Sequence, residues 1–291
     1  MKRQKRVVAI HDISGFGKCS LTVALPIISA AGIETAVLPT AVLSTHTGGI
    51  PGFTYRDLTE DIEPIAKHWK DLNLSFDAIY TGFLGSFEQL ELISTFFDDF
   101  KSQDNIIFVD PVMADHGKLY SIFTPEFAKG MTKLSSKADI LVPNMTEALI
   151  MLDEEYKEGP YTDEFIENIL LRLSQLGPKQ IVLTGVYFDE KLLGAATYDK
   201  DTDKIGYAFA DRIEGAYHGT GDVFGSALLG AILNGFSLLD SAVIAVNFTT
   251  ESIQKTADAK TDIRFGVNFE ESIPNYLVNL GKFKSRFKFK V

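Results

Sequence analysis

The chain has 291 residues, of which 45% are hydrophobic, so it can bury a core in one or two domains without disulfide bonds. Its 39 acidic and 28 basic side chains give a formal net charge of −11, which argues against a nucleic-acid-binding surface. One cysteine excludes an intramolecular disulfide, and no run of residues reaches the length of a membrane span, so we expect a soluble cytoplasmic protein.

The chain opens with the pattern of a strand, a loop and a helix. The apolar run Val7–Ile10 is typical of a buried parallel strand and is too short for the apolar part of a signal peptide. A polar loop is predicted over residues 11–20, a helix from about Ser20 to Ala31 and a second strand from Glu34 to Thr40. This order predicts a parallel sheet flanked by helices, with ligands at the carboxyl ends of the strands.

Further elements follow in the same alternation. Helices are predicted from Thr54 to about Lys70, from about Ser86, and over Thr162–Leu176, Gly221–Leu233 and Leu239–Thr256. Strands are predicted over Ala78–Phe83, Ile106–Val109, the residues before Asn144, Gln180–Gly185, and an antiparallel pair formed by Leu192–Tyr198 and Lys204–Ala210. The tail over residues 282–291 alternates basic and apolar side chains, which indicates an amphipathic strand. No domain break is visible, so residues 1–291 are predicted to form a single domain.

Polar side chains come directly after several of these strands. Asp110 ends the strand Ile106–Val109, where its carboxylate is placed either to orient a metal ion or phosphate or to bond local N–H groups. Asn144 and Glu147 have the spacing of a helix-capping box, which explains both residues without any ligand. The Ser, Thr, His and Gly residues of the segment 44–49 also follow a strand, and this position favours a functional loop.

The stretch Gly219-Thr220-Gly221-Asp222 leads from a loop into the first turn of a predicted helix. Free N–H groups at a helix start, with no Cβ in the way, form an anion site. Asp222 beside such a site fits a base that removes a proton from a hydroxyl group while the N–H groups hold the developing charge. The alternative is that Asp222 caps the helix, as aspartate at such a position usually does.

Together these motifs resemble the ribokinase-like superfamily. Gly219-Thr220-Gly221-Asp222 is similar to its anion-hole and catalytic-base signature. Asp110-Pro111-Val112-Met113, Pro143-Asn144 with Glu147, and Ser44-Thr45-His46-Thr47-Gly48 resemble its vitamin B6 kinase branch. The resemblance spans residues 7 to about 260 and implies a three-layer αβα sandwich with a central, mostly parallel sheet.

The resemblance also implies a role for each matching residue. Asp222 would deprotonate the substrate hydroxymethyl group, and Gly219, Thr220 and Gly221 would hold the transferring phosphoryl group of ATP. Asp110 and Glu147 would organise Mg²⁺. The nucleotide side would consist of Asp110, Asp115, Asn144, Glu147, Thr184 and Gly185, and the substrate side of Asp12, Ser14, His46, Thr47 and Phe83. A homodimer and a monovalent cation such as K⁺ are implied by the family alone.

Some positions depart from the pattern of the B6 kinases. These kinases often carry Ser at the position of Asp12, Tyr at the position of Phe83 and Gly at the position of Ala114. The first two lie on the substrate side, which puts the substrate in more doubt than the chemistry. Two alternatives therefore stay open: a hydroxymethylpyrimidine kinase of thiamin synthesis, and a non-catalytic binding protein on the same fold.

Overall fold

The computed structural model describes residues 3–282, and its centre is a nine-stranded sheet. The strands of the chain are β1 (Arg6–Ser14), β2 (Glu34–Leu43), β3 (Tyr55–Asp57), β4 (Ala78–Thr81), β5 (Ile106–Val109), β6 (Ala114–Asp115), β7 (Lys118–Leu119), β8 (Ile140–Leu141), β9 (Gln180–Val186), β10 (Leu192–Asp199) and β11 (Lys204–Asp211). The sheet order is β11-β10-β9-β8-β5-β4-β1-β2-β3, and β6 pairs with β7 in a separate small hairpin.

Helices cover both faces of the sheet. They are α1 (Leu21–Ala30), α2 (Thr59–Asp71), α3 (Phe87–Phe100), α4 (Pro125–Ser135), α5 (Met145–Met151), α6 (Asp163–Gln175), α7 (Thr220–Leu233), α8 (Leu238–Asp258) and α9 (Ile273–Asn279), with two 3₁₀ turns at Ile263–Phe265 and Phe269–Ser272. One apolar core lies between the sheet and α2 to α6, and a second lies between the sheet and α1, α7, α8 and α9. The predicted three-layer sandwich is therefore confirmed.

The central strands β2, β1, β4, β5, β8 and β9 pair in parallel, while β3, β10 and β11 pair antiparallel at the two edges. From β1 the chain continues to β2 and β3 on one side of β1, and it then returns to β4 on the other side. The strand order therefore reverses at β1. Ligands of open α/β sheets bind in the crevice at such a point. Within residues 3–282, each helix is too short or too polar to cross a lipid bilayer.

Two predictions of local structure were wrong. The first strand does not stop at Ile10 but continues to Ser14, because residues 11–14 keep pairing with β2 across a bulge between His11 and Ile13. The helix predicted from Thr54 begins at Thr59, because residues 55–57 pair antiparallel with the edge of β2 instead. Both errors have the same cause, since strand pairing satisfies backbone groups in a way that local sequence does not reveal.

The other predicted helices and strands are confirmed to within a few residues. No pattern in the sequence predicted α4, the β6–β7 hairpin or the elements after α8. The amphipathic strand predicted for residues 282–291 lies, beyond Lys282, outside the described residues.

Candidate active site

A cleft of about 690 Å³ lies at the carboxyl ends of the central strands. Every residue to which the resemblance gave a role lines it: Asp12, Ser14, His46, Thr47, Phe83, Asp110, Asp115, Asn144, Glu147, Thr184, Gly185, Gly219, Thr220, Gly221 and Asp222. Fold topology explains this meeting, because strands distant in the sequence end at the same edge of the sheet. Their individual roles remain predictions.

The loop before α7 is held in a conformation that only glycine adopts without strain. Gly219 has φ 77° and is the N-cap of α7, and a Cβ at this position would lie 2.2 Å from the backbone carbonyl oxygen of Lys18. Val223 makes the first intrahelical bond, to the Gly219 carbonyl at 3.0 Å. The N–H groups of residues 220–222 therefore have no partner within the helix, and these residues line the cleft as an anion site requires.

Asp222 does not cap α7. Its Oδ2 instead accepts the backbone N–H of Ser20 at 2.9 Å, and α7 has no side-chain cap at its start. The capping alternative is therefore wrong. Burial raises the pKa of Asp222 to about 7, with the Ser20 N–H opposing and the nearby Asp12 assisting this change. A carboxyl group that titrates near neutrality is suited to accepting a proton from a substrate hydroxyl.

Asp12 lies beside this base in the bulged end of β1. Its two oxygens accept hydrogen bonds from the hydroxyl groups of Ser20, at 2.5 Å, and Ser14, at 2.8 Å. Burial raises the pKa of Asp12, and these two hydroxyl bonds oppose that change. Ser20, which sequence reasoning placed only at a helix start, thus bonds both carboxylates, through its hydroxyl to Asp12 and through its N–H to Asp222.

The predicted capping box at the start of α5 is confirmed. The Asn144 side chain accepts the Glu147 N–H at 2.9 Å, and Glu147 Oε2 accepts the Asn144 N–H at 2.9 Å. Glu147 Oε1 accepts the N–H of Met113 at 3.0 Å, which ties α5 to the segment after β5. Burial raises the pKa of Glu147 to about 8, although these backbone bonds oppose the change.

Asp110 differs from Glu147 because its carboxylate accepts no hydrogen bond from residues 3–282. The alternative that it bonds local N–H groups is therefore not seen in this part of the chain. Burial raises the pKa of Asp110 well above its usual range, with the charges of Glu147 and Asp222 adding to the effect. A buried carboxylate without donors, beside other acids, has the chemistry of a cation ligand.

The acidic groups do not form a complete metal site by themselves. Within residues 3–282, no three His, Cys, Asp or Glu side chains are arranged to hold an ion. Mg²⁺ in kinases is usually held by one or two carboxylates together with nucleotide phosphates and water. Asp110 and Glu147, which line the same cleft, fit an arrangement in which the protein supplies one or two carboxylates.

Two histidines, one predicted and one not, meet at the other side of the cleft. His46 Nδ1 accepts the Gly48 N–H at 3.0 Å, so its Nε2 carries the proton that is donated to the Arg264 carbonyl at 2.5 Å. The His218 ring lies 5.1 Å from the His46 ring, and burial lowers the pKa of His218. His218 was not predicted as a site residue. Its position directly before Gly219 was the feature of the sequence that could have indicated it.

The predicted nucleotide side is more open. Gly185, with φ 75°, has free space where a Cβ would point, and Thr184 pairs with Asn144 in an isolated parallel bridge. Asp115 is half exposed, and its Oδ1 accepts the His116 N–H at 2.8 Å. The structure adds lining residues that the sequence did not identify, among them Asp211, Arg212, Tyr217, Thr249 and Thr250.

Comparison with known proteins agrees with this architecture. Residues 25–265 match the family model described as phosphomethylpyrimidine kinase. A Bacteroides thetaiotaomicron structure, provisionally assigned as a phosphomethylpyrimidine kinase, aligns with a TM-score of 0.92 at 37% identity, covering 98% of this chain and 96% of that one. An orthorhombic form of that protein, with pyridoxal, has a TM-score of 0.90 and 39% identity over 94% and 96% of the two chains.

The chain is also similar to kinases that act on vitamin B6 compounds. The pyridoxal kinase of Lactobacillus plantarum aligns with a TM-score of 0.86 at 30% identity, covering 95% of this chain and 98% of that one. The pyridoxine/pyridoxal/pyridoxamine kinase of Bordetella pertussis is 24% identical over 268 residues, 87% of this chain and 90% of that protein. These similarities confirm the predicted fold class and the resemblance drawn from the motifs.

Proposed function

Because the chain belongs to the phosphomethylpyrimidine kinase family, we propose that it phosphorylates a hydroxymethyl group on a nitrogen heterocycle. The substrate is a B6 vitamer, whose 5′-hydroxymethyl group receives the terminal phosphoryl group of ATP. The observation that carries this proposal is the Asp222 carboxyl group, with a pKa of about 7, directly after the glycine loop of an anion site. The B6 assignment is supported by the B6 kinases to which the chain is similar and by the pyridoxal in the Bacteroides crystal form.

The residues of the cleft divide the work of phosphoryl transfer. Asp222, in its carboxylate form, removes the hydroxyl proton as the oxygen attacks, while the N–H groups of residues 220–222 stabilise the transferring group. Asp110 and Glu147 hold the cation side of the nucleotide, and Mg²⁺ bound there with ATP would neutralise phosphate charge. Asp12, Ser14, His46, Thr47 and Phe83 orient the ring. Positioning and charge neutralisation account for most of the catalysis in such reactions.

Replacing Asp110 by asparagine is expected to raise the Mg²⁺ concentration needed for half-maximal turnover by about 10- to 100-fold, because a neutral amide binds this cation poorly. The measurement is turnover against Mg²⁺ concentration at saturating ATP. Asp98→Asn is a matched control, since Asp98 is an exposed carboxylate that pairs with Lys137 on the surface. An unchanged Mg²⁺ dependence of the Asp110 variant would remove Asp110 from the cation side.

A hydroxymethylpyrimidine kinase is the second candidate. The family description favours it, and the departures at Asp12 and Phe83 fall on the substrate side. A non-catalytic binding protein is less well supported, because Asp222, Asp110 and Glu147 line one cleft with raised pKa values. Binding alone does not require a carboxylate positioned as a base.

A coupled assay of ADP release with Mg-ATP separates these candidates. Pyridoxal, pyridoxine, pyridoxamine and hydroxymethylpyrimidine are each supplied in turn, with an acceptor-free reaction as the blank. We expect turnover on at least one B6 vitamer at a kcat/KM at least about tenfold above that on the pyrimidine, because the ring contacts differ. Turnover on the pyrimidine alone would assign the protein to thiamin synthesis, and no acceptor-dependent turnover would favour the binding protein.

Two further properties are proposed from the resemblance alone: a homodimer and activation by a monovalent cation such as K⁺. A cytoplasmic location is proposed from the single cysteine and the absence of a long apolar run in the sequence. Light scattering of the purified protein would give the oligomeric state. The same ADP-release assay with K⁺ replaced by a bulky organic cation would test the cation requirement.

A further inference from the structure

His11 is a buried polar side chain without a hydrogen bond. It lies in β1 directly before Asp12, and its relative exposure is 0%. Neither Nδ1 nor Nε2 has a hydrogen-bond partner among residues 3–282. Burying such a group without partners costs stability, so an imidazole that only filled space here would be a poor choice compared with an apolar side chain of similar size.

The imidazole ring of His11 packs against Tyr80 and fits into space that Gly82 leaves free. The Tyr80 ring packs edge-on against it, with 4.4 Å between ring centroids and an interplanar angle of 83°. Gly82 leaves room for it, because a Cβ at that position would lie 2.2 Å from His11 Nδ1. In this position Nδ1 lies 3.8 Å from Asp222 Oδ1, the carboxylate oxygen that Ser20 does not bond.

The groups that face Asp222 make a donor at this position useful. Asp12 and Asp110 are acids whose own pKa values are raised by burial, and they offer Asp222 no donor, while the Cys19 thiol and the Tyr80 and Tyr120 hydroxyls have pKa values raised by burial and stay neutral. Burial lowers the pKa of His11 to about 3, so its imidazole is also neutral at physiological pH. A neutral imidazole can carry its proton on Nδ1 and donate it to a carboxylate without adding charge.

We propose that His11 is a positioning residue for Asp222, donating its Nδ1–H to Oδ1 while the Ser20 N–H holds Oδ2. The two donors together fix the plane of the carboxylate and favour its ionised form. A rotation of the carboxylate that shortens the gap by about 1 Å brings the pair to hydrogen-bond distance, and catalytic hydrogen bonds commonly tighten when substrate binds. The inference rests on the proposed function, in which Asp222 is the base.

The test compares two substitutions of His11. His11→Leu removes the donor and keeps much of the volume, whereas His11→Gln keeps an N–H donor. Removing a donor from a carboxylate raises its pKa. We therefore expect the acid limb of the pH profile of kcat/KM for pyridoxal phosphorylation to move up by about one pH unit in His11→Leu, with kcat at neutral pH about tenfold lower. His11→Gln should restore most of both, and KM for ATP should stay near the wild-type value in each variant.

Tyr276→Phe is the matched control. The Tyr276 hydroxyl donates to the Ala227 carbonyl of α7 at 3.1 Å, so its loss disturbs the helix that carries Asp222 without touching the carboxylate. It should lower the melting temperature and leave the pH profile unchanged. An acid limb that stays in place in His11→Leu, or that moves equally in His11→Gln and Tyr276→Phe, would overturn the proposal.

A measurement without turnover separates this inference from the proposed function. The ¹³C-carboxyl signal of Asp222 in aspartate-labelled protein, assigned by its loss in Asp222→Asn, can be titrated with no substrate present. Its midpoint should rise in His11→Leu and return in His11→Gln. If the wild-type protein turns over none of the acceptors, the proposed function fails, and this titration still decides whether His11 supports Asp222. A midpoint unchanged in His11→Leu would reject the contact.

Discussion

Asp222→Asn is expected to reduce kcat for the acceptor substrate by about 10³-fold or more, within the range seen when a positioned general base is lost. The amide keeps the size of the carboxylate and its acceptor oxygen for the Ser20 N–H, so α7 and the cleft should stay in place. ATP binding, measured by calorimetry, should change by less than about threefold, since Asp222 is assigned to the acceptor hydroxyl. Near-full turnover of this variant would reject Asp222 as the base.

The same substitution has an opposite expected effect on stability. Folding raises the pKa of Asp222 from 3.8 to about 7, so the folded state binds the proton more tightly than the unfolded state. The ionised carboxylate therefore costs stability, increasingly as the pH rises from about 4 to 7 and fully above that range. Asp222→Asn removes this cost. We expect a melting temperature above that of the wild type at about pH 8, with the difference shrinking as the pH falls. A lower melting temperature at alkaline pH would show that the carboxylate is not buried at a cost.

Gly219→Ala is expected to abolish most activity for a different reason. The added methyl group would lie 2.2 Å from the Lys18 carbonyl oxygen, a backbone atom that cannot move away as a side chain can, and the φ of 77° is itself strained for alanine. The loop must shift, which misplaces the N–H groups of the anion site. Loss of one such donor costs about 10²- to 10³-fold in kcat in other enzymes, and we expect a loss of that size here, measured by ADP release.

Gly221→Ala is the matched variant for stability in the same loop. A Cβ at Gly221 has no atom within 4 Å, and its φ is not positive. Its melting temperature should stay near the wild-type value, whereas that of Gly219→Ala should fall by several degrees, in keeping with a cost of about 1–2 kcal/mol. Equal melting temperatures for the two variants would mean that the loop accommodates a side chain at Gly219, contrary to its backbone geometry.

The sequence predicted the central part of the fold because each buried parallel strand is a short apolar run closed by a polar residue. Asp110 and Asn144 mark two of those ends. The capping box of Asn144 and Glu147 was predictable from spacing alone, since both partners lie within one helical turn. The exposed edge strand Tyr55–Asp57 was not predictable in this way, because its pairing with β2 depends on contacts between distant segments.

The candidate site was predictable as a list of residues but not as a network. Ser20 joins Asp12 to Asp222 because its backbone has a φ of 57°. Its two partners lie 8 residues away, at Asp12, and 202 residues away, at Asp222. His11 reads as a loop residue until the bulged extension of β1 buries it. His46 and His218 were both visible in the sequence, but their meeting depends on the loop after β2 and the loop before α7 reaching the same side of the cleft.

The order of the strands also separates two parts of the cleft along the chain. The side chains assigned to the acceptor ring all come from the first 83 residues, on β1, β2 and β4 and their loops, whereas those assigned to the nucleotide and to phosphoryl transfer come from residue 110 onward. Substitutions on the loops after β2 and β4 can therefore accumulate while the transfer machinery stays intact, whereas Asp12 on β1 is tied to Asp222 through Ser20. A fold divided in this way is suited to acquiring new acceptor molecules during evolution, and Phe83 is a position where such divergence would be expressed.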